Sequence, residues 1–186
     1  VKLIRNFPEV RWDRRIHEQI IPAIRRAGGE IVKTDLFLVH SGADHSEEGK
    51  KRKLERDLRL LHQELEEFPD HPFTLFNLGM TYRDAGQYDK AVEFLKKNID
   101  RSGECESHLR KAYALLVSSY SLWGKTDAAC NVSRDGLRLF PEDLELRFQE
   151  GGLMSDLGRF AEAAESYLKV LTTQEEPHFA SVERGI

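Results

Sequence analysis

The sequence predicts a mainly α-helical protein, in which a superhelix of paired helices follows a small α+β segment. In residues 44–186, apolar side chains recur three and four residues apart, as they do on one face of a helix. In the same region a turn glycine, followed at a fixed distance by an alanine, occurs three times. Residues 1–43 show neither pattern and instead combine short apolar runs with a single helical stretch.

The first helix pair, in residues 72–105, shows the pattern most clearly. Leu75, Leu78 and Tyr82 share one face of its first helix. Gly86 supplies the turn to its second helix, since glycine adopts turn conformations without steric cost. Two helices of this length cannot bury their apolar faces alone, so we expect further pairs of the same kind.

The turn recurs at Gly86, Gly124 and Gly158, at intervals of 38 and 34 residues. A period near 34 is typical of the tetratricopeptide repeat, which the chain resembles. The matching residues are Leu75-x2-Leu78-Gly79-x2-Tyr82 with Ala91-x3-Leu95; Tyr113, Leu116, Tyr120, Ala129 and Pro141; and Gly151 with Ala163-x3-Tyr167, where Glu150 replaces a leucine. We expect repeats over 72–105, 110–143 and 144–177, and the start of a fourth over 178–186. An unrelated array of helical hairpins is the alternative.

Composition and charge narrow the possible functions. With 40% hydrophobic residues the chain can form a core, and its net charge of −4 predicts no general attraction to nucleic acid or anionic membrane. No apolar run approaches the ~20 residues of a membrane span. Cys105 and Cys130 show no metal-ligand spacing, so we expect two free thiols in a reducing, cytoplasmic compartment.

A single long helix is predicted to link the two regions over residues 44–71. Asp44 and Glu47 have the spacing of a capping box, the helix runs to about Glu67, and Pro69 ends it. We expect this helix to cap the first repeat. Its basic run, Lys50-Lys51-Arg52-Lys53, is either a phosphate-binding patch or a solvated helix face.

Residues 1–43 are predicted to form the α+β segment. A helix is expected from Ile20 to Ala27, with Pro22 in its first turn and Gly28-Gly29 at its end. The predicted extended pieces and strands are residues 1–5, 10–16, 30–33 and 36–40.

Several short motifs follow one another in this segment: Arg5-Asn6, Trp12, Ile16-His17-Glu18, Gly28-Gly29 and Val39-His40. Their order resembles the closing segment of the catalytic domain in family 2 glycosyltransferases, in the bacterial branch where that domain continues into tetratricopeptide repeats. The resemblance implies a remnant of a GT-A fold, with an inverting sugar transfer and a divalent cation (Mn or Mg) in the parent enzyme. No Asp-x-Asp motif occurs in the chain. We therefore expect an inactive C-terminal fragment that holds no cofactor of its own.

His17 and Glu18 are the candidate catalytic residues under this resemblance. An inverting transfer needs a carboxylate to take a proton from the acceptor, which is the role we predict for Glu18. His17 would contact the metal or the acceptor. The alternative is that both residues only begin the helix, where a carboxylate suits the positive end of the helix dipole.

Tetratricopeptide arrays usually bind extended peptides in a groove lined by the first helix of each repeat. Family members that clamp a C-terminal carboxylate have Lys and Asn at positions that Phe76 and Met80 occupy here, so an aromatic or aliphatic peptide, or the parent catalytic domain, is the expected ligand. Phe73 and Phe76 could instead be core residues. The predicted groove residues are Phe73, Phe76, Met80 and Arg83; Lys111, Ala114 and Ser118; and Glu145, Phe148 and Gly152.

The resulting functional prediction is a non-catalytic part of a glycosyltransferase whose repeats bind a protein or position an acceptor. A stand-alone tetratricopeptide scaffold for protein interactions, with no enzymatic role, is the main alternative. An oligomerisation domain is a third.

Overall fold

The structure is a computed structural model of the 186-residue chain that describes residues 4–16, 18–32, 44, 46–103, 106 and 108–172. The chain divides into two compact units, Val1–Glu64 and Leu65–Ile186. The helices of the described residues are, in order, α1 (Ile21–Arg26), α2 (Glu47–Glu67), α3 (Pro72–Asp84), α4 (Tyr88–Arg101), α5 (Leu109–Leu122), α6 (Thr126–Leu139), α7 (Leu144–Asp156) and α8 (Phe160–Thr172).

The predicted α+β segment at residues 1–43 is wrong. Its described part contains the short helix α1 and no strand. The β-type pairing found there is one isolated antiparallel bridge, in which the backbone N–H groups of Asp13 and Gln19 each donate to the other residue's carbonyl over 2.8 and 2.9 Å. The predicted strand at 36–40 and most of the one at 1–5 lie outside the described residues.

The apolar residues of this segment pack locally instead of forming a sheet. Val10, Ile20 and Ala23 make a small buried cluster around α1. A short run of β-branched residues is stable as a strand only when other strands pair with it. Within the described residues no such partner strand exists, so the run at residues 30–32 has no ladder to join. The predicted remnant of a GT-A domain is therefore not present in the described fold.

Helix α2 begins two residues later than its predicted capping box implies. The Oγ of Ser46 accepts a hydrogen bond from the N–H of Gly49 over 3.0 Å, so Ser46 caps the helix. Asp44 instead accepts from the backbone N–H and the hydroxyl of Ser46, and these bonds lower the pKa of its carboxyl group. The end of the helix at Glu67 agrees with the prediction.

Three of the four cations in the basic run of α2 form ion pairs with carboxylates. Lys50 pairs with Glu47 at 2.7 Å, Arg52 with Asp44 at 2.6 Å, and Lys53 with Asp57 at 3.1 Å. Paired and largely exposed cations offer little to a phosphate, so the solvated-face alternative fits the structure better.

Helices α3 to α8 form the three predicted pairs. The three turn glycines, Gly86, Gly124 and Gly158, have φ angles of +71°, +74° and +73°, a region where a side chain would be strained. Within each pair the helices pack together, and α4 and α6 also pack against the first helix of the next pair, α5 and α7. The helices α3, α5 and α7 contact one another in sequence. This arrangement confirms the predicted superhelix of pairs for the described residues; the predicted fourth repeat at 178–186 lies outside them.

Close helix packing explains two of the small residues in the pattern. A Cβ atom added to Gly79 would lie 2.5 Å from Leu95 Cγ, and one added to Gly151 would lie 2.6 Å from Tyr167 Cε1. Neither distance is possible between real atoms, so these two positions let the second helix of each pair approach the first. Ala91, like its equivalents in the other pairs, is buried at the same contact.

Candidate binding groove

The three first helices, α3, α5 and α7, lie side by side, and polar contacts join them. The Nε of Arg83 on α3 donates to Ser118 Oγ on α5 over 2.7 Å. Lys111 Nζ on α5 forms an ion pair with Glu145 Oε1 on α7 at 2.6 Å. All four residues belong to the predicted groove, and the structure brings them together in pairs that span neighbouring repeats. We call the surface formed by the predicted groove residues of α3, α5 and α7 the groove surface.

The α3 part of the groove surface is packed by the protein's own side chains. The ring of Phe76 is buried, and its centroid lies 6.3 Å from that of Phe73 and 5.4 Å from that of His108. Phe73 also meets His108 edge-on at 5.9 Å. Met80 packs on the same core cluster, which α4 and α5 complete. Phe76 is therefore an interior residue here, with Phe73 and Met80 half-buried beside it.

His108 is the polar member of this aromatic cluster. Its Nε2 lies 3.0 Å from Glu106 Oε2 and 3.2 Å from Ser102 Oγ. Burial lowers the pKa of the imidazole, the negative charge of Glu106 acts in the opposite direction, and the nearby His71 lowers the pKa further. The net lowering favours a neutral ring at neutral pH, which suits its position beside two phenyl rings.

The α7 part of the groove surface is more open. On α5, the predicted groove residue Ala114 is buried in the core and Ser118 is half-buried, whereas Gly152 on α7 has no side chain. A Cβ atom added to Gly152 would have one neighbour within 4 Å among the described residues, Tyr167 Oη at 3.8 Å, which is an ordinary contact. Phe148 is 59% exposed, with its ring 5.5 Å from that of Tyr167. An aromatic face and free space therefore lie next to each other on α7.

The charges on this surface are paired with one another. Lys111 and Glu145 neutralise each other, and Arg83 bonds to Ser118 and also to Asp84, at 3.2 Å. A carboxylate clamp requires cations that are available to the ligand. The groove surface instead combines neutralised ion pairs with apolar and small residues.

The structure describes only one of the two candidate catalytic residues. Glu18 is exposed, and His17 lies outside the described residues. Beside them, the backbone N–H of Arg15 donates to Glu64 Oε2 over 3.0 Å, and the guanidinium of Arg14 lies 3.7 Å from Glu64 Oε1. The backbone of Arg15 and the side chain of Arg14 thus contact a buried carboxylate of α2, while the catalytic roles of His17 and Glu18 stay predictions.

The divalent cation implied by the resemblance has no matching ligand set in the described part of the chain. No group of three or more His, Cys, Asp or Glu side chains there could hold a metal ion. Within the same residues, no helix is both long enough and apolar enough to cross a membrane.

Sequence reasoning missed two buried polar contacts. Asp143 accepts from the backbone N–H of Leu146 over 2.8 Å and so caps α7, and it also pairs with the guanidinium of Arg110 on α5. An Asp three residues before an apolar helix position, shortly after Pro141, is a signal that could have revealed the cap. Burial of Glu64 had no comparable local signal, because it depends on contacts with residues 49 positions away.

The helix pairs have the fold of tetratricopeptide repeats. Residues 74–106 match the family model of the tetratricopeptide repeat. A crystal structure of MamA is similar to this chain with a TM-score of 0.58 and 24% identity, over 69% of this chain and 75% of MamA. A second MamA structure gives a TM-score of 0.57 and 24% identity, over 66% of this chain and 65% of its own.

YrrB, a tetratricopeptide-repeat protein with an unusual peptide-binding site, is similar with a TM-score of 0.54 and 21% identity. The match covers 65% of this chain and 60% of YrrB. No curated protein matches the sequence. At these identities the likeness establishes the fold alone.

Proposed function

We propose that this chain is a protein-binding scaffold, whose groove surface holds an extended peptide segment of a partner. The observation that carries the proposal is the pair of contacts, Arg83 to Ser118 and Lys111 to Glu145, that joins the three first helices into one surface. Repeat superhelices present extended surfaces of this kind to their ligands. YrrB shows that a protein of similar fold has a peptide-binding site.

The ligand chemistry follows from the open part of the surface. Its ion pairs are internally neutralised, so a strongly charged peptide gains little there. Phe148 offers an exposed aromatic face, and Gly152 leaves room beside it for a side chain. The ligand is therefore a peptide that places an aromatic or aliphatic side chain against Phe148.

The proposal does not require an enzymatic role. The glycosyltransferase resemblance rests on short motifs in residues 1–43, and neither the fold nor any of the comparisons supports it. A function as the non-catalytic part of such an enzyme stays a prediction, as does the role of Glu18 as a base.

Two substitutions at Gly152 test the proposal without disturbing the core. Gly152→Leu places a side chain in the free space of the groove, whereas Gly152→Ala adds only a methyl group that meets Tyr167 at ordinary distance. Peptides would be selected from a random display library on the purified chain and their affinities measured by fluorescence polarisation. We expect aromatic and aliphatic peptides to be enriched, and Gly152→Leu to weaken them about tenfold while Gly152→Ala binds normally.

The circular dichroism spectrum and the melting temperature of each variant serve as folding controls. Failure to enrich any peptide, or equal affinity for the wild-type chain and folded Gly152→Leu, would contradict the proposal.

A further inference from the structure

Two neighbouring helix turns carry exposed apolar side chains. These side chains belong to the turn between α5 and α6 and to the turn between α7 and α8, and their exposed fractions lie between 42% and 70%: Leu122, Trp123, Leu157 and Phe160. In the first pair, Asp84 and Ala85 stand at the first two of these positions. Its Tyr88 is half-buried, whereas the equivalent Phe160 is 70% exposed. The apolar character is therefore particular to these two turns and is not shared by every pair.

The two turns lie at the same edge of the superhelix. At the opposite edge the start of α5 meets the start of α7, where Lys111 pairs with Glu145. The end of α5 and the end of α7 therefore point to the same side. In agreement, Arg159 in the second turn is close enough to Cys130, near the start of α6, for the two side chains to interact electrostatically. We call the four apolar residues of these turns the turn edge: Leu122, Trp123, Leu157 and Phe160.

The turn edge has the composition of the centre of a protein–protein interface. Two of its four side chains are aromatic, and aromatic residues are enriched at interface centres, whereas charged residues are depleted there and lie at the rim. Side chains exposed to this extent form an apolar patch on the order of 500 Å². Patches of this size on a folded chain frequently mark an interaction surface.

The charges around the turn edge are of both signs. Lys125 places its amino group 5.5 Å from the centroid of the neighbouring indole ring. Asp127 and Asp156 lie at the helix ends that the two turns join, and neither they nor Lys125 form an ion pair with another described residue. The remaining cation, Arg159, is neutralised by Glu162 at 2.7 Å. Such a rim is complementary to itself, because a two-fold rotation can bring the cation of one copy opposite an anion of the other.

We propose that the turn edge is a contact between two copies of this chain, related by a two-fold axis. The apolar patches of the two copies form the centre of the contact, and Lys125 faces Asp127 or Asp156 of the partner subunit. The patches together bury about 1,000 Å², and the charged rim brings the contact to the lower limit of specific interfaces, about 1,200 Å². The dimer is therefore weak and depends on concentration. The turn edge contains no residue of the groove surface, so the inference does not rest on the proposed function.

Sedimentation velocity of the full chain over about 5–500 µM measures this association, since interfaces of this size bind with micromolar strength. Helix α8 offers a matched pair of positions, because Phe160 belongs to the turn edge, whereas Leu168 lies outside it and is 58% exposed. We expect the wild-type chain to dimerise and Phe160→Lys to weaken the dimer by about tenfold or more, because it places a charge in the apolar centre. Leu168→Lys should associate like the wild-type chain. Circular dichroism serves as the folding control for each variant.

Charge reversal gives a second test that leaves the apolar side chains intact, and it remains available if Phe160→Lys fails to fold. Lys125→Glu leaves the rim with anions only and should also weaken the dimer by about tenfold. Adding Asp127→Lys and Asp156→Lys to this variant restores charges of both signs and should recover the dimer, because both copies carry the exchanged charges.

Several results would overturn the inference. A wild-type chain that stays monomeric at about 500 µM would mean that two copies do not meet at the turn edge. Equal weakening by Phe160→Lys and Leu168→Lys, or failure of the charge exchange to recover the dimer, would mean that the copies meet elsewhere. Species that grow beyond the dimer would mean that a head-to-tail contact takes the place of the two-fold one.

Discussion

The first and third helix pairs have the same backbone plan but differ in how their equivalent positions are filled. In the first pair Phe76 is buried beneath α5 residues and His108, and Met80 packs on the same cluster. In the third, Phe148 is exposed and Gly152 replaces the methionine. A repeat position therefore does not determine burial by itself. The neighbouring pair and the side chains at the next position decide whether an aromatic residue is core or surface.

The largest expected effect tests the contact that all three pairs share. Ala91 is fully buried where α4 meets α3, so Ala91→Trp should lower the free energy of unfolding by about 3 kcal/mol through overpacking. Ala161 lies on the exposed side of α8, and Ala161→Trp should change the free energy of unfolding by less than about 0.5 kcal/mol. Urea unfolding followed by circular dichroism measures both. Similar losses for the two variants would contradict the difference in burial between Ala91 and Ala161.

The next prediction uses two helical glycines that should respond with opposite sign. Gly79→Ala places a methyl group 2.5 Å from Leu95 Cγ and 3.2 Å from its backbone nitrogen, so we expect a loss of about 1–2 kcal/mol. Gly152→Ala meets only Tyr167 Oη among the described residues, and the better helix propensity of alanine should add about 0.5–1 kcal/mol. Chemical unfolding gives both values. Destabilisation by Gly152→Ala would show that the free space on α7 is smaller than the structure indicates.

Local signals predicted most of the repeat region. The turn glycines and the alanines that follow them work within a few residues, so their spacing alone placed the helix pairs. The exposure of Phe148 and the interior position of Phe76 could not be read in this way, because they depend on which helix lies alongside. The same limitation explains the incorrect α+β prediction, since an apolar run such as Ile31-Val32 becomes a strand only when another strand pairs with it.

A smaller effect should come from pH and act on the first pair. Burial beside Phe73 and Phe76 lowers the pKa of His108 below its ordinary value of 6.5. The charge of Glu106 acts to raise this pKa, and the charge of His71 acts to lower it, but burial has the largest effect. The unfolded chain therefore binds the proton first as the pH falls. The His108 contribution to stability is complete above about pH 6.5 and is lost as the pH drops through the window between that value and the lower folded pKa.

Urea unfolding at about pH 7.5 and about pH 5 measures this dependence. His108→Phe keeps an aromatic ring but cannot titrate, so the difference between the two pH values should be smaller in this variant than in the wild-type chain. An identical difference would show that other groups cause the loss of stability at low pH.

The smallest expected effect concerns the ion pair that joins the second repeat to the third. Lys111 and Glu145 are 2.6 Å apart, but each side chain is more than one third exposed, at 41% and 45%. Water and salt screen such a pair, and ordering two long side chains costs entropy, so its coupling energy should be only about 0.2–1 kcal/mol. A double-mutant cycle with Lys111→Ala and Glu145→Ala, measured by urea unfolding at low and high salt, gives this value. The coupling should shrink as salt increases. A coupling above about 2 kcal/mol that salt does not change would mean that the pair is shielded from water. The groove between α5 and α7 would then be less open than the exposure of Lys111 and Glu145 indicates.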